Sequence, residues 1–197
     1  VLRQRRVVSR ELNDCFTPLR SRLRDFCERH LERELAFDGE AEVRLLNDGL
    51  APEFPFPAAH DDCLGATRWI VANIENLAPN NGRFVVSGDS AGGNLAISTA
   101  INCQADQRLA GCLAIYPATR HYISDLPSFT EHAKTGHLRA RTMRWFCDTY
   151  LGGLMSADPK LERMFPGRRT SLTGFPPSMI ITAERDPLRD DGARFAV

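Results

Sequence analysis

The sequence predicts an α/β domain built on a mostly parallel sheet, and three observations point there. Short β-rich runs alternate with helical segments through residues 50–197. The clearest run, Arg83-Phe84-Val85-Val86-Ser87, has the length and apolar content of a buried parallel strand. The junction that follows it, Gly88 to Gly93, is bracketed by glycines and leads directly into a helical stretch.

Before the first strand, residues 1–49 differ in texture from the rest. No glycine precedes Gly39, and arginines alternate with acids. Leu19, Leu23, Phe26, Leu31 and Leu35 fall at helical spacing behind Thr17, a suitable N-cap, and Pro18, a suitable first helical residue. Val1 to Arg10 carries four arginines and no acid, and reads as a solvated terminus. Val43 to Leu46 reads as a short strand, with Asn47-Asp48-Gly49 turning the chain after it. Residues 1–49 are therefore expected to form a divergent helical segment, separate from the domain of residues 50–197.

Within that domain, Pro52-Glu53-Phe54-Pro55-Phe56-Pro57 is expected to run extended, because each proline biases its predecessor away from helix. Asp61 and Asp62 are expected to open a helix, with Cys63, Ala66, Ile70 and Ile74 on one face and Trp69 beside it. After the strand at residues 83–87 comes a helix of mostly small and apolar residues, Leu95 to Cys103. A second strand, Cys112 to Tyr116, ends at Pro117. Met143, Phe146, Tyr150 and Leu151 then mark one helical stripe, with Cys147 and Trp145 beside it. A third strand, Ser178 to Thr182, follows Pro176-Pro177, and Leu188 to Phe195 starts a helix.

Composition excludes several function classes. Twenty-five Lys and Arg balance twenty-five Asp and Glu, so no net basic field draws the chain to nucleic acid or anionic lipid. No run approaches the roughly 18 apolar residues of a membrane span, and no signal segment opens the chain. Six cysteines without paired ligand spacing give neither a disulfide scaffold nor a metal site. Four of them, Cys63, Cys103, Cys112 and Cys147, sit in apolar elements as buried thiols. The expectation is a soluble, cytoplasmic domain with no cofactor, no metal and no evident protein partner. The chain opens on Val1 with no initiator methionine, so a cut or processed N-terminus is one of two open readings.

Chemistry concentrates in Phe84-Val85-Val86-Ser87-Gly88-Asp89-Ser90-Ala91-Gly92-Gly93-Asn94-Leu95. It is Gly-x-Ser-x-Gly between a strand and a helix, the setting a nucleophile elbow requires. A serine on so sharp a turn takes a strained backbone conformation, and Gly88 and Gly92 supply the room its neighbours must leave. Its hydroxyl then stands above the sheet at a helix N-terminus, where the Ala91 N–H can help hold an oxyanion. The rival reading of the same pattern is a tight turn whose serine caps the helix.

Gly88-Asp89-Ser90-Ala91-Gly92-Gly93-Asn94-Leu95-Ala96 resembles the elbow of the hormone-sensitive-lipase-like carboxylesterases of the α/β-hydrolase fold. Leu50-Ala51-Pro52-Glu53, Phe56-Pro57-Ala58-Ala59 and Asp61-Asp62 are similar to that branch's Tyr-Arg-Leu-Ala-Pro-Glu segment and its continuation. Tyr116-Pro117, Phe175-Pro176-Pro177 and Thr182-Ala183-Glu184-Arg185-Asp186-Pro187-Leu188-Arg189-Asp190 match further motifs in the family order. The resemblance implies an α/β-hydrolase sheet flanked by helices, acting on a small-molecule ester. It makes Ser90 the nucleophile and Asp186 the carboxylate that orients a histidine. Glu53 would steady the neighbourhood of the elbow, Asp89 would be a local hydrogen-bonding partner, and Asp190 and Asp191 would form the first turn of the last helix.

Two family features have no counterpart. The oxyanion motif His-Gly-Gly-Gly does not occur in residues 1–49, and no histidine follows Asp186. The domain is thus expected to be incomplete at both ends and weak or inactive as an esterase. His30, His60, His121, His132 and His137 all precede Asp186 and are expected at the surface or flanking helices. The alternatives are a non-catalytic small-molecule-binding protein on the same scaffold, as the plant gibberellin receptors resembling this branch are, and a fragment without function. The stripe at Met143, Phe146, Tyr150 and Leu151 resembles the family's lid region; it reads as core, or as the lining of an acyl pocket.

Overall fold

A computed structural model describes residues 46, 48–77, 82–121, 125–134, 138–154 and 158–196. The chain divides into two compact units, Val1–Asn47 and Asp48–Val197, and every described element belongs to the second. The helix expected over residues 18–35, the basic opening and most of the strand expected at residues 43–46 lie outside the described residues. So do His30, His137, Cys15 and Cys27.

Three parallel strands form the sheet, in the order β1 (Phe84–Asp89), β2 (Leu109–Ile115), β3 (Ser178–Ile181). Pairing is in register at the carboxyl ends, where Asp89 faces Ile115 and Ile115 faces Ile181. The chain between them supplies α1 (Ala58–Ala72), α2 (Ile74–Leu77), α3 (Ala91–Cys103), α4 (Pro127–Glu131), α5 (Ala140–Leu151) and α6 (Arg189–Phe195).

Alternation along the strands sorts the sheet into two faces. Phe84, Val86, Cys112, Ala114 and Ile180 point to the side where α3 and α6 lie, packing with Ile97, Ala100 and Phe195 into the main core. The small residues of α3 let it approach the sheet closely, as their composition predicts. On the other face Val85, Met179 and Ile181 stand largely exposed. A second apolar cluster joins Phe56 to Leu151, Leu161, Met164 and Phe165.

Several elements differ from expectation. The proline-rich connection does not run extended: the Phe54 N–H donates to the Leu50 carbonyl at 2.9 Å and closes a turn, and the Phe56 N–H donates to the Tyr150 carbonyl at 2.7 Å. The burial of Phe56 against α5 outweighs the local proline preference. Helix α1 begins at Ala58, ahead of Asp61, and buries Ala59, His60 and Thr67, leaving the predicted stripe half-buried except for Ile74 in α2. The α5 stripe splits as well. Met143 and Leu151 are buried and Tyr150 is half-buried, but Phe146 and Trp145 are exposed and pack on each other at 5.2 Å between ring centroids.

Candidate active site

The turn between β1 and α3 is bent as its sequence demands. Ser90 has φ 52° and ψ −116°, a conformation that a side chain bearing a Cβ rarely adopts. The bend is fastened on both sides of the residue. The Ser90 N–H donates to the Ile115 carbonyl at 2.8 Å, and the Asn94 and Ala118 N–H groups donate to the Ser90 carbonyl at 3.2 and 3.5 Å. One strand over, Tyr116 also has positive φ, 37°, and its N–H donates to the Ile181 carbonyl at 2.6 Å. Two non-glycine residues with positive φ therefore sit side by side at the carboxyl end of the sheet. Strained backbone gathered in one place is typical of functional sites.

The glycines share the work differently from the sequence expectation. A Cβ on Gly88 would run into the backbone of Gly92, and one on Gly93 would come within 3.0 Å of the Pro117 Cβ. At Gly92 itself a Cβ would meet only Asp89 Oδ1, at 3.9 Å. A Cβ is excluded at Gly88 and crowded at Gly93, whereas Gly92 has room for one.

Ser90 is half-buried and Ala91 is exposed as the first residue of α3. The Ala91 N–H is thus one of the leading amides that a helix cannot satisfy internally, at the end where the helix dipole favours negative charge. Asp186 lies in the loop after β3, which turns before α6. Its Oδ1 accepts the Leu188 N–H at 2.9 Å and its carbonyl accepts the Arg189 N–H at 3.0 Å. Oδ2 has no hydrogen-bond partner among the described residues. Ser90 and Asp186 therefore stand beyond the carboxyl ends of β1 and β3, whose axes two strand spacings set about 10 Å apart. This is the edge of an open α/β sheet where ligands bind.

The three described histidines are not at the surface, although His132 does flank a helix, as the C-cap of α4. His60, His121 and His132 are all buried. His60 Nδ1 is hydrogen-bonded to Tyr150 Oη at 2.7 Å, and its ring stacks on Tyr150 and meets Phe56 edge-on. Burial first, and then the Arg163 charge, push its pKa down from 6.5 to about 4. His121 packs edge-on against Phe165, and His132 Nε2 lies 3.5 Å from Glu131 Oε1 and 3.4 Å from Arg189 Nη1. Among the described residues no hydrogen bond joins any of the three to Ser90 or Asp186. Glu53 occupies an exposed turn and Asp89 ends β1, and neither side chain has a hydrogen bond among the described residues. No partner among the described residues carries the supporting roles expected for these two acids.

Sequence reasoning passed over Asn94. Its side chain is buried at the first turn of α3, and Nδ2 donates to the Ala118 and Met164 carbonyls, both at 2.6 Å. The available signal was an amide in the first turn of a helix of mostly small and apolar residues.

Residues 24–197 match the family model described as alpha/beta hydrolase fold. The chain belongs to that family. The match starts upstream of residue 50, where the motif resemblance began. Carboxylesterase NlhH of Mycobacterium tuberculosis strain H37Rv is 39% identical over 171 residues, covering 83% of this chain and 52% of the relative. Ethyl acetate hydrolase of Pseudomonas putida is 34% identical over 165 residues, covering 82% and 51%. The structure of a hyperthermophilic esterase from the archaeon Pyrobaculum calidifontis superimposes with a TM-score of 0.68 at 36% identity, covering 76% of this chain and 48% of that one. The esterase branch expected from the motifs is where these relatives lie. The chain spans about half the length of the curated relatives it matches. Among the described residues no helix is long and apolar enough to cross a membrane.

Proposed function

We propose that this chain carries the nucleophile and the acid of a serine carboxylic-ester hydrolase. Ser90 Oγ attacks the ester carbonyl, and the Ala91 N–H donates to the oxygen that gains negative charge. The acyl group passes to Ser90 as the alcohol leaves with a proton, and water then releases the acid and restores the hydroxyl. Asp186 orients the histidine that moves those protons, with Oδ1 held by the Leu188 N–H and Oδ2 assigned to the imidazole. The observation that carries the proposal is the Ser90 backbone, held at φ 52° at a strand-to-helix turn.

No histidine follows Asp186 in the sequence, and a triad lacking one member retains only about 10³–10⁴-fold over water. Turnover by the 197-residue chain is therefore slow. The Pseudomonas putida relative is named for ethyl acetate, so a short-chain acyl ester is the substrate to try first. A cytoplasmic setting is part of the same proposal, supported by the four described cysteines, all free thiols.

The engagement of His60, His121 and His132 away from Ser90 favours a second reading, a scaffold that binds a small molecule without turnover. Cleavage of a p-nitrophenyl ester by the parent chain and by Ser90→Ala separates the two. A Ser90-dependent rate, with fluorophosphonate labelling lost in the variant, supports the hydrolase. Equal rates in the two proteins reject it.

A further inference from the structure

Asp191 is a buried carboxylate that ester chemistry does not use. It stands in the first turn of α6, where the sequence expectation placed it, but its side chain leaves the helix and crosses to the segment after β2. Oδ2 accepts the Thr119 N–H at 2.7 Å and the Arg120 N–H at 3.0 Å, and Oδ1 accepts the Thr119 hydroxyl at 2.7 Å. The Arg120 guanidinium Nε lies 3.6 Å from Oδ1. Asp191 and Thr119 are both buried, with 2% and 0% exposure.

The Thr119 N–H belongs to the same peptide plane as the Ala118 carbonyl, and that carbonyl accepts Asn94 Nδ2 at 2.6 Å. One planar, rigid unit is therefore held on its oxygen by the helix that follows Ser90 and on its nitrogen by the helix that follows Asp186. Each grip is tied closely to its functional residue. Asn94 is one helical turn from Ser90, whose carbonyl accepts both the Asn94 and the Ala118 N–H. Asp191 follows a loop fixed by two hydrogen bonds to Asp186, one to its side chain and one to its carbonyl.

We infer that Asp191 is a positioning residue that fixes the separation of Ser90 and Asp186 through the Ala118–Thr119 peptide. Stability alone is a poor reason for a carboxylate here. Burial raises its pKa despite three hydrogen bonds, and apolar residues of similar volume often serve stability as well as a buried charge does. What an acid adds is direction. Two oxygens engaging two successive N–H groups and a hydroxyl allow one orientation of the segment. The inference rests on the hydrolase proposal for its purpose, though not for its geometry.

The test compares the parent with Asp191→Asn, which keeps the shape but replaces one acceptor by a donor, and with Thr119→Val and Thr119→Ser. Thr67→Val is the control: it removes another buried threonine hydroxyl, bonded at 2.8 Å to the Cys63 carbonyl in α1. With p-nitrophenyl acetate, Asp191→Asn is expected to lower kcat at least tenfold with KM within threefold, and Thr119→Ser to restore what Thr119→Val loses. In ¹H–¹⁵N spectra the Ser90 and Ala91 amides should shift in Asp191→Asn and Thr119→Val but not in Thr67→Val. Amide changes confined to Thr119 and Arg120, or a kcat within twofold of the parent, overturn the inference. If Asp191→Asn does not fold, Thr119→Val decides by the same readouts. A parent with no Ser90-dependent cleavage defeats the proposed reaction, and the amide shifts then decide the positioning role alone.

Discussion

The N–H of Ser90 donates to the carbonyl of Ile115 at 2.8 Å, so the bend at the end of β1 is pinned to the last residue of β2. The sheet itself thus stabilises a conformation that the isolated segment would abandon. The strain belongs to the pair of strands as much as to the serine.

Relieving that strain gives the first prediction. At φ 52° and ψ −116° glycine is comfortable and alanine is not. Ser90→Gly should be more stable than Ser90→Ala by about 1 kcal/mol, the reverse of their order in a helix. Urea unfolding of the two variants measures it, and equal midpoints would mean that the turn is unstrained.

The glycines around Ser90 should respond unequally. Gly88→Ala forces a Cβ onto the Gly92 backbone and should cost about 2 kcal/mol or more, and Gly93→Ala, pressing on Pro117, about 1–2 kcal/mol. Gly92→Ala makes only an ordinary contact with Asp89 Oδ1 and should leave stability unchanged or raise it by up to about 1 kcal/mol. Thermal melts of the three variants rank them.

His60 gives a signed pH dependence. Its folded pKa is about 4 against an ordinary 6.5, lowered first by burial and then by Arg163, with the Asn94 side chain and then Asp61 opposing. Between pH 6.5 and 4 the unfolded chain binds a proton that the folded chain refuses, so stability falls as pH falls through that window. The slope is about 1.4 kcal/mol per pH unit, about 3 kcal/mol in total. Above pH 6.5 the contribution is complete. His60→Gln should lose this component while the carboxylate-driven part remains, and unfolding curves at pH 7.5, 5.5 and 4.5 for both proteins separate the two.

Small imidazoles should act as an added base at Ser90. If Asp186 Oδ2 and Ser90 Oγ address one space, added imidazole should raise Ser90-dependent ester cleavage in a saturating way. The rise should vanish in Ser90→Ala, which also corrects for the reaction of imidazole in bulk solution, and shrink in Asp186→Asn. A strictly linear response, identical in all three proteins, counts against a shared space.

Periodicity and strand–turn–helix context made the three strands and the elbow legible. Boundaries moved where tertiary contacts overruled local preference. Helix α3 starts at Ala91, through two glycines that propensity would exclude, because the elbow commits the chain to turn there. Strand β2 starts at Leu109 rather than Cys112 because β1 offers partners for the extra residues. The buried polar residues were illegible for a common reason. His60, Asn94 and Asp191 look like surface residues until their partners are known, and those partners lie 90, 24 and 72 residues away. Only the fold brings them together.

Val85, Met179 and Ile181, exposed on the sheet face opposite α3 and α6, carry a practical consequence. A fluorescent dye that seeks oily surface should brighten on the fully native polypeptide. Such brightening is commonly taken as the mark of a loosened, molten state. For this chain the dye has to be paired with near-ultraviolet circular dichroism, which reports fixed aromatic packing directly.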